Sequence, residues 1–278
     1  GAAPVPIVNP GFEDNSVGVQ FNEFTFGPPA GWSLHDPLGI TAGGAGGTYY
    51  VGTLTPQELD PIGNPGVHEN FPAGAAEGQR VAIAFNFFGS GGQGEYGLEQ
   101  TLGANLQPNT TYTLEVEVGN IASGTALSGQ FFVLDGFPGY RVELLAGGVV
   151  IAQDNNTLAG TIPEGEFATS TVVVATGAAH PQLGQPVGIR VVNLNVVDPA
   201  FPGSDLEVDF DDIRLDATLA PACPDINGDG LTNAADFTIL AGNFGSAVPP
   251  NTGGDLNGDG LVNAADFTIL AGAFGCQP

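Results

Sequence analysis

Basic side chains are almost missing from this chain. Four Lys+Arg face 30 Asp+Glu, a formal net charge of −26, and all four are arginines: Arg80, Arg141, Arg190 and Arg214. Phosphate binding needs basic side chains, so nucleic acid is not an expected partner. An anionic membrane surface is not expected, on the same ground. No hydrophobic run is long enough to span a bilayer as a helix. Methionine is absent, and with the small-residue start GAAPVP this predicts that a leader has been removed. The three histidines, His35, His68 and His180, have no H-x-x-x-H or H-E-x-x-H spacing, so zinc chemistry is not expected. There is no G-x-S-x-G, Walker loop or dinucleotide fingerprint. With 30 acids no carboxylate pair stands out as catalytic. No catalytic residue is nominated, and the expectation is a protein that is not an enzyme.

What is present points to β-structure. The 278 residues are 42% hydrophobic, with 44 Gly and 22 Pro between apolar and β-branched runs. That is the pattern of Gly-rich turns in an all-β protein. Thr111–Val118, Gln130–Leu134, Arg141–Leu145, Ser170–Ala175, Gly188–Leu194 and Leu206–Leu215 read as strands. The fold class expected is mainly β: a β-sandwich over residues 1–216, a short linker over 217–224, and a small helical domain over 225–278. Trp32, Tyr49, Tyr50, Tyr96 and Tyr140 could serve as sugar platforms or as core. The excess of 18 Phe over five Tyr and one Trp favours core.

The tail carries the sharpest motif. CPDINGDGLTNAADFTILAGNFG is followed, after a Pro/Gly spacer, by DLNGDGLVNAADFTILAGAFGC. Each copy opens D-x-N-x-D-G and has an Asp at loop position 12, the spacing of a calcium loop. The first would use Asp225, Asn227, Asp229, the carbonyl of Leu231, and Asp236. The second would use Asp255, Asn257, Asp259, the carbonyl of Leu261, and Asp266. Asn233 and Asn263 would reach the metal through water or cap the helices that follow. A turn that binds nothing uses the same dipeptides. However, all six acids after Cys223 fall at positions 1, 5 or 12, with no basic residue beside them. Two Ca2+ ions are therefore expected. Cys223 and Cys276 flank the segment and would pair in a secreted chain, the alternative being two free thiols. The expected location is extracellular.

This duplicated segment resembles a dockerin domain of the type I pattern over residues 223–278, which implies two loop–helix halves and docking to a cohesin-type β-sandwich. It departs from that pattern at Ala234-Ala235 and Ala264-Ala265, where hydroxyl residues are usual, and in having no Lys or Arg. Further forward, IVNPGFED, Gly31-Trp32, GLEQTLGANLQPNTTYTLEVEV and VDFDDIRLDA resemble the jelly-roll, galactose-binding-like modules of carbohydrate-binding and bacterial surface proteins. That resemblance implies a third calcium site formed by Glu13 with Asp211 or Asp212. The alternative is that these acids are solvated strand residues.

The connector DATLAPACP is short, which predicts a tail held at a near-fixed angle. A rigid two-part protomer whose tail fits a neighbour makes a heterologous contact that closes into rings or continues as filaments. The function expected from sequence is a secreted calcium-binding structural protein that docks onto another copy to build an extracellular assembly. The alternative is a carbohydrate-binding module, with a polysaccharide partner, anchored to a cohesin-bearing scaffold.

Overall fold

Alternation decides most of the architecture. In Thr110–Asn120, Tyr112, Leu114, Val116 and Val118 are buried while Thr113, Glu115 and Glu117 are half-buried. A strand points successive side chains to opposite faces, so one face meets a core and the other carries polar groups. The computed structural model describes residues 2–14, 23–46, 48–56, 70–88, 94–219 and 223–276. Along the chain lie β1 (Ala3–Pro4), β2 (Ser33–His35), β3 (Tyr49–Leu54), β4 (Val81–Asn86), β5 (Tyr96–Asn105) and β6 (Thr110–Asn120). The short hairpin of β7 (Gly124–Thr125) and β8 (Phe131–Phe132) comes next. It is followed by β9 (Tyr140–Ala146), β10 (Val149–Asn155), β11 (Glu166–Ala175), β12 (Pro186–Asn193) and β13 (Leu206–Leu219). Two short helices close the sequence, α1 (Ala234–Gly242) and α2 (Ala264–Gly272). The chain is mainly β.

The residues divide into two compact units, Gly1–Thr218 and Leu219–Pro278. In the first, a six-stranded sheet runs β11-β6-β13-β4-β3, with β1 paired to β13. A five-stranded sheet runs β10-β9-β12-β5-β2. The named pairs are antiparallel, and β11 pairs with β6 without a break from Glu166↔Asn120 to Ala175↔Thr111. Val116, Val118, Val208 and Phe210 of one sheet share a core with Leu98, Val142, Ile189 and Val191 of the other. A second apolar cluster uses the opposite face of the six-stranded sheet. There Tyr50, Leu54, Val81, Ile83 and Phe85 meet Phe71, Ile121 and Leu134, with Phe24 and Phe132 packed against them. The strand expected at Gln130–Leu134 is only Phe131–Phe132 long, because the Val133 carbonyl turns to accept from Asp205 N–H at 2.7 Å.

In the second unit each helix begins with a reciprocal cap. Asn233 and Asp236 close one, Asn263 and Asp266 the other, satisfying amides that a helix start leaves unpaired. The apolar core is small: Leu240, Val262 and Leu270, supported by Ile226, Val248 and Leu256. Cys223 and Cys276 are joined by a disulfide across a sequence separation of 53, with Cα atoms 5.5 Å apart. A cross-link of that span restricts the unfolded chain by about 4 kcal/mol in the entropy model, which is large beside so small a core. Reduction should therefore lower the calorimetric transition of this unit markedly. Fluorescence of Trp32, which sits in the first unit's core, should report no matching change.

Candidate active site

The tail acids accept the backbone amides of their own turns. Asp225 accepts from Gly228 N at 2.7 Å, Asp229 N at 3.0 Å and Gly230 N at 2.7 Å. Asn227 and Asp229 bond each other, and Asp229 also accepts from Leu231 N at 3.0 Å. Asp236 takes the amides of Ile226, Asn227 and Asn233. The second loop repeats this: Asp255 accepts from Gly258 and Gly260, Asn257 pairs with Asp259, and Asp266 accepts from Leu256, Asn257 and Asn263. The carbonyls of Leu231 and Leu261 accept from the Asn233 and Asn263 side chains. Burial pushes Asp236 and Asp266 upward, but their backbone donors outweigh it, and both carboxyls lie below their ordinary range. Among the described residues no three His, Cys, Asp or Glu side chains gather as a metal-holding group. The expectation of two calcium ions is corrected: the D-x-N-x-D-G spacing serves here to fold Asx turns.

The third calcium site is corrected likewise. Glu13 Oε1 accepts from the amides of Gln79 and Arg80 at 2.7 and 2.6 Å. Asp211 accepts from Glu77 N and Asp212 N at 2.7 and 2.8 Å, while Asp212 pairs with Arg214 at 2.8 Å. The sugar platforms do not form either. Trp32, Tyr49, Tyr96 and Tyr140 are buried in the main core, and Trp32 Nε1 donates to Asn9 O at 3.1 Å. His35 lies among Glu95, Glu99 and the arginines of the five-stranded sheet. His180 Nδ1 accepts from Gln182 N at 3.2 Å, and His68 falls outside the described residues.

A pocket does form on the outer face of the six-stranded sheet. Its cavity volume is about 30 Å³, so a small organic ligand enters only if the side chains around it move apart. Its walls are aromatic and aliphatic: Phe24, Tyr50, Ile83, Phe85, Phe132 and Leu134. Rings pack edge-on and tilted around it, Tyr50 on Phe85 at 5.0 Å and Phe85 on Phe132 at 5.7 Å. One acid lines it, Glu207 of β13.

The alternation Leu206-Glu207-Val208-Asp209-Phe210-Asp211 explains how an acid arrives there. Val208 and Phe210 face the main core, so Glu207, Asp209 and Asp211 face the other way, beneath the second cluster. All three are nearly or fully buried. Burial, then the charge of Asp205, pushes Glu207 up to about 8. Burial, then the charge of Glu207, holds Asp209 well above the ordinary carboxylate range. Among the described residues no basic side chain offsets either. Asp209 finds no amide, hydroxyl or amine donor among the described residues, and its polar neighbour is Glu207. Above it Phe71 stacks on Phe167 at 4.3 Å. At Gly119 a Cβ would lie 2.7 Å from Phe167, 2.9 Å from Phe71 and 3.0 Å from Asp209 Cβ, so the seal over Asp209 requires glycine there. The site therefore holds a carboxylic acid still protonated at neutral pH, facing an apolar, aromatic chamber. Such a group donates a proton.

A family model described as HpiC1-like, HpiC1 cyclase, matches residues 3–216, a span that contains every residue lining the pocket. Among solved structures, the Stig cyclase Fisc from Fischerella sp. TAU, in complex with (3Z)-3-(1-methyl-2-pyrrolidinylidene)-3H-indole, is 39% identical. It covers 79% of this chain and 100% of its own, with TM-score 0.64. A cyclase from Fischerella sp. TAU in complex with 4-(1H-indol-3-yl)butan-2-one is 38% identical over 79% of this chain and 100% of its own, TM-score 0.62. A type II cohesin–dockerin structure from Bacteroides cellolosolvens is 43% identical over 22% of this chain and 95% of its own, but at TM-score 0.18 it carries no argument. No curated protein matches the chain.

These findings overturn the main functional expectations. The two resemblances drawn from sequence give way to a cyclase family over the first unit. The expectation of a protein without catalytic activity gives way with them, as does that of a self-docking or sugar-binding structural protein. In place of a second copy, a cohesin or a polysaccharide, the similar structures hold small indole compounds.

Proposed function

Because this chain belongs to the HpiC1-like cyclase family, we propose that it is a cyclase, taking a small indole-bearing substrate into the pocket over β13 and closing a ring by proton catalysis from Glu207. The observation that carries this reading is the buried Glu207 carboxyl set in an aromatic wall, where burial favours its protonated form. Glu207 donates its proton to a basic or π-rich atom of the substrate. The cation so formed is attacked by a π-bond of the same molecule, which makes the new carbon–carbon bond. Loss of a proton to the Glu207 carboxylate restores the acid. The product is an isomer of the substrate, so mass is conserved and no oxidant or reductant is consumed. Phe24, Tyr50, Phe85 and Phe132 exclude water, and their faces favour a passing positive charge.

The strand order supports a jelly-roll sandwich over residues 1–216, with 217–224 as connector and 225–278 as tail. The disulfide supports an oxidising, extracellular compartment, which secretion assays on the native host would check. The catalytic reading is tested by titrating the full chain calorimetrically with 4-(1H-indol-3-yl)butan-2-one, the compound held by a similar structure. Incubation with indoles that carry alkenyl chains should then yield isomers of unchanged mass and new ring count by NMR. Saturable binding and isomer formation are expected. Absence of both at millimolar ligand contradicts the proposal.

A further inference from the structure

We propose that Asp205 is a positioning residue for the Glu207 acid, pinning the mouth of the pocket and fixing a negative charge beside the reacting carboxyl. This rests on the reading of that pocket as the active site. Asp205 stands directly ahead of β13 and ties three segments together. Its Oδ1 accepts from Phe88 N–H at 2.5 Å, and its own N–H donates to Val133 O at 2.7 Å. Phe88 follows Phe87, whose ring lies 4.7 Å from Phe85 and 5.9 Å from Phe132. Val133 separates Phe132 from Leu134, both of which line the pocket. One side chain and its amide therefore hold the β4 end and the β7–β8 hairpin against the strand that carries the acid.

Charge is the second part of the role. Asp205 and Asp209 flank Glu207 along the chain, Tyr50 of β3 faces the pair, and Tyr96 of β5 feels Glu207 from across the sheet. None of these groups is basic, so among the described residues no cation cancels the field of Asp205 at Glu207. Burial raises Asp205 itself while the Phe88 amide favours its charged form. A charged Asp205 keeps the proton on Glu207.

The experiment uses the full chain with Asp205→Asn, which keeps an oxygen for Phe88 N–H and removes the charge, and Asp205→Glu, which keeps the charge. The first readout is the infrared carbonyl band of the protonated carboxyl, assigned by its loss in Glu207→Gln and followed against pH. The second is the pH–rate profile on an alkenyl indole. In Asp205→Asn the infrared midpoint should fall, with a parallel shift of the alkaline limb of kcat and little change in KM. Asp205→Glu should restore the parent midpoint. Asp205→Ala should also raise KM, since the hairpin loses its anchor. An unchanged midpoint in Asp205→Asn overturns the proposal. Because the infrared titration needs no turnover, a protein inactive on every indole would sink the cyclase reading and still leave Asp205 judged on its own.

Discussion

Changing Glu207 to glutamine should lower kcat by roughly 10²–10⁴-fold, the usual worth of a general acid, with little loss of binding. Glutamine nearly matches glutamate in size, so the walls made by Tyr50, Phe85 and Phe132 stay in place. What disappears is the transferable proton. A change felt in kcat and kcat/KM alike marks an interaction made in the transition state. The parent should be active at neutral pH and lose activity as pH rises past about 8, where Glu207 ionises. Asp209→Asn should be milder. The Asp209 hydrogen bond to Glu207 favours the charged form of that acid, and the Asn amide keeps a donor there, so the alkaline limb should stay near the parent's or move to higher pH while the maximal rate is largely kept. Calorimetric binding of 4-(1H-indol-3-yl)butan-2-one and single-turnover rates across pH separate the two effects. Parent-like turnover by Glu207→Gln would place the acid elsewhere.

The sandwich was legible because its signal is local. TYTLEVEV alternates over eight residues, and β6 buries Tyr112, Leu114, Val116 and Val118 as that alternation requires. The pocket was not legible because its walls come from distant parts of the chain. Phe24, Tyr50, Phe85, Phe132 and Glu207 meet only when β3, β4, the hairpin and β13 are assembled. Phenylalanines counted as core filler proved to line a chamber. The acids of VDFDD read from sequence as calcium ligands or as solvated strand residues, yet the face opposite Val208 and Phe210 is covered by Phe71, Phe132 and Leu134. One hint was present. Alternating acids on a strand, in a chain with four arginines and no lysine, leave most carboxylates without a cation wherever the fold puts them. The tail misled for a chemical reason. A carboxylate spaced to coordinate calcium is spaced equally well to accept the amides of its own turn, and Asp225, Asp236, Asp255 and Asp266 do so.

Stability of the first unit should fall as pH rises from about 5 to about 9, against the trend of most proteins. Folding raises Glu207 from 4.5 to about 8 and Asp211 from 3.8 to about 8, and Asp209 well above its ordinary range, chiefly by burial. Between the unfolded and folded values the native state binds more protons than the unfolded chain. The slope of unfolding free energy with pH is then negative, about 1.4 kcal/mol per unit for each group. At the acid end Asp36 and Glu95 act oppositely. Hydrogen bonds from Thr41 and Arg141 hold them down against burial, so their contribution is complete above about pH 5 and is lost as pH falls through their folded values. The maximum should therefore sit near pH 5. Melting followed by Trp32 fluorescence should drop by many degrees from there to pH 9, and Glu207→Gln with Asp209→Asn should flatten that slope. The double variant should be the more stable protein at pH 9 and the poorer catalyst at every pH. A fold that keeps two like acids in an apolar wall, with no basic partner, keeps them against its own stability, and the proton they retain is what the pocket can offer a substrate. A melting temperature that is flat or rising between pH 5 and pH 9 would show that these carboxyls are ionised in the folded chain, and would remove the acid from the mechanism.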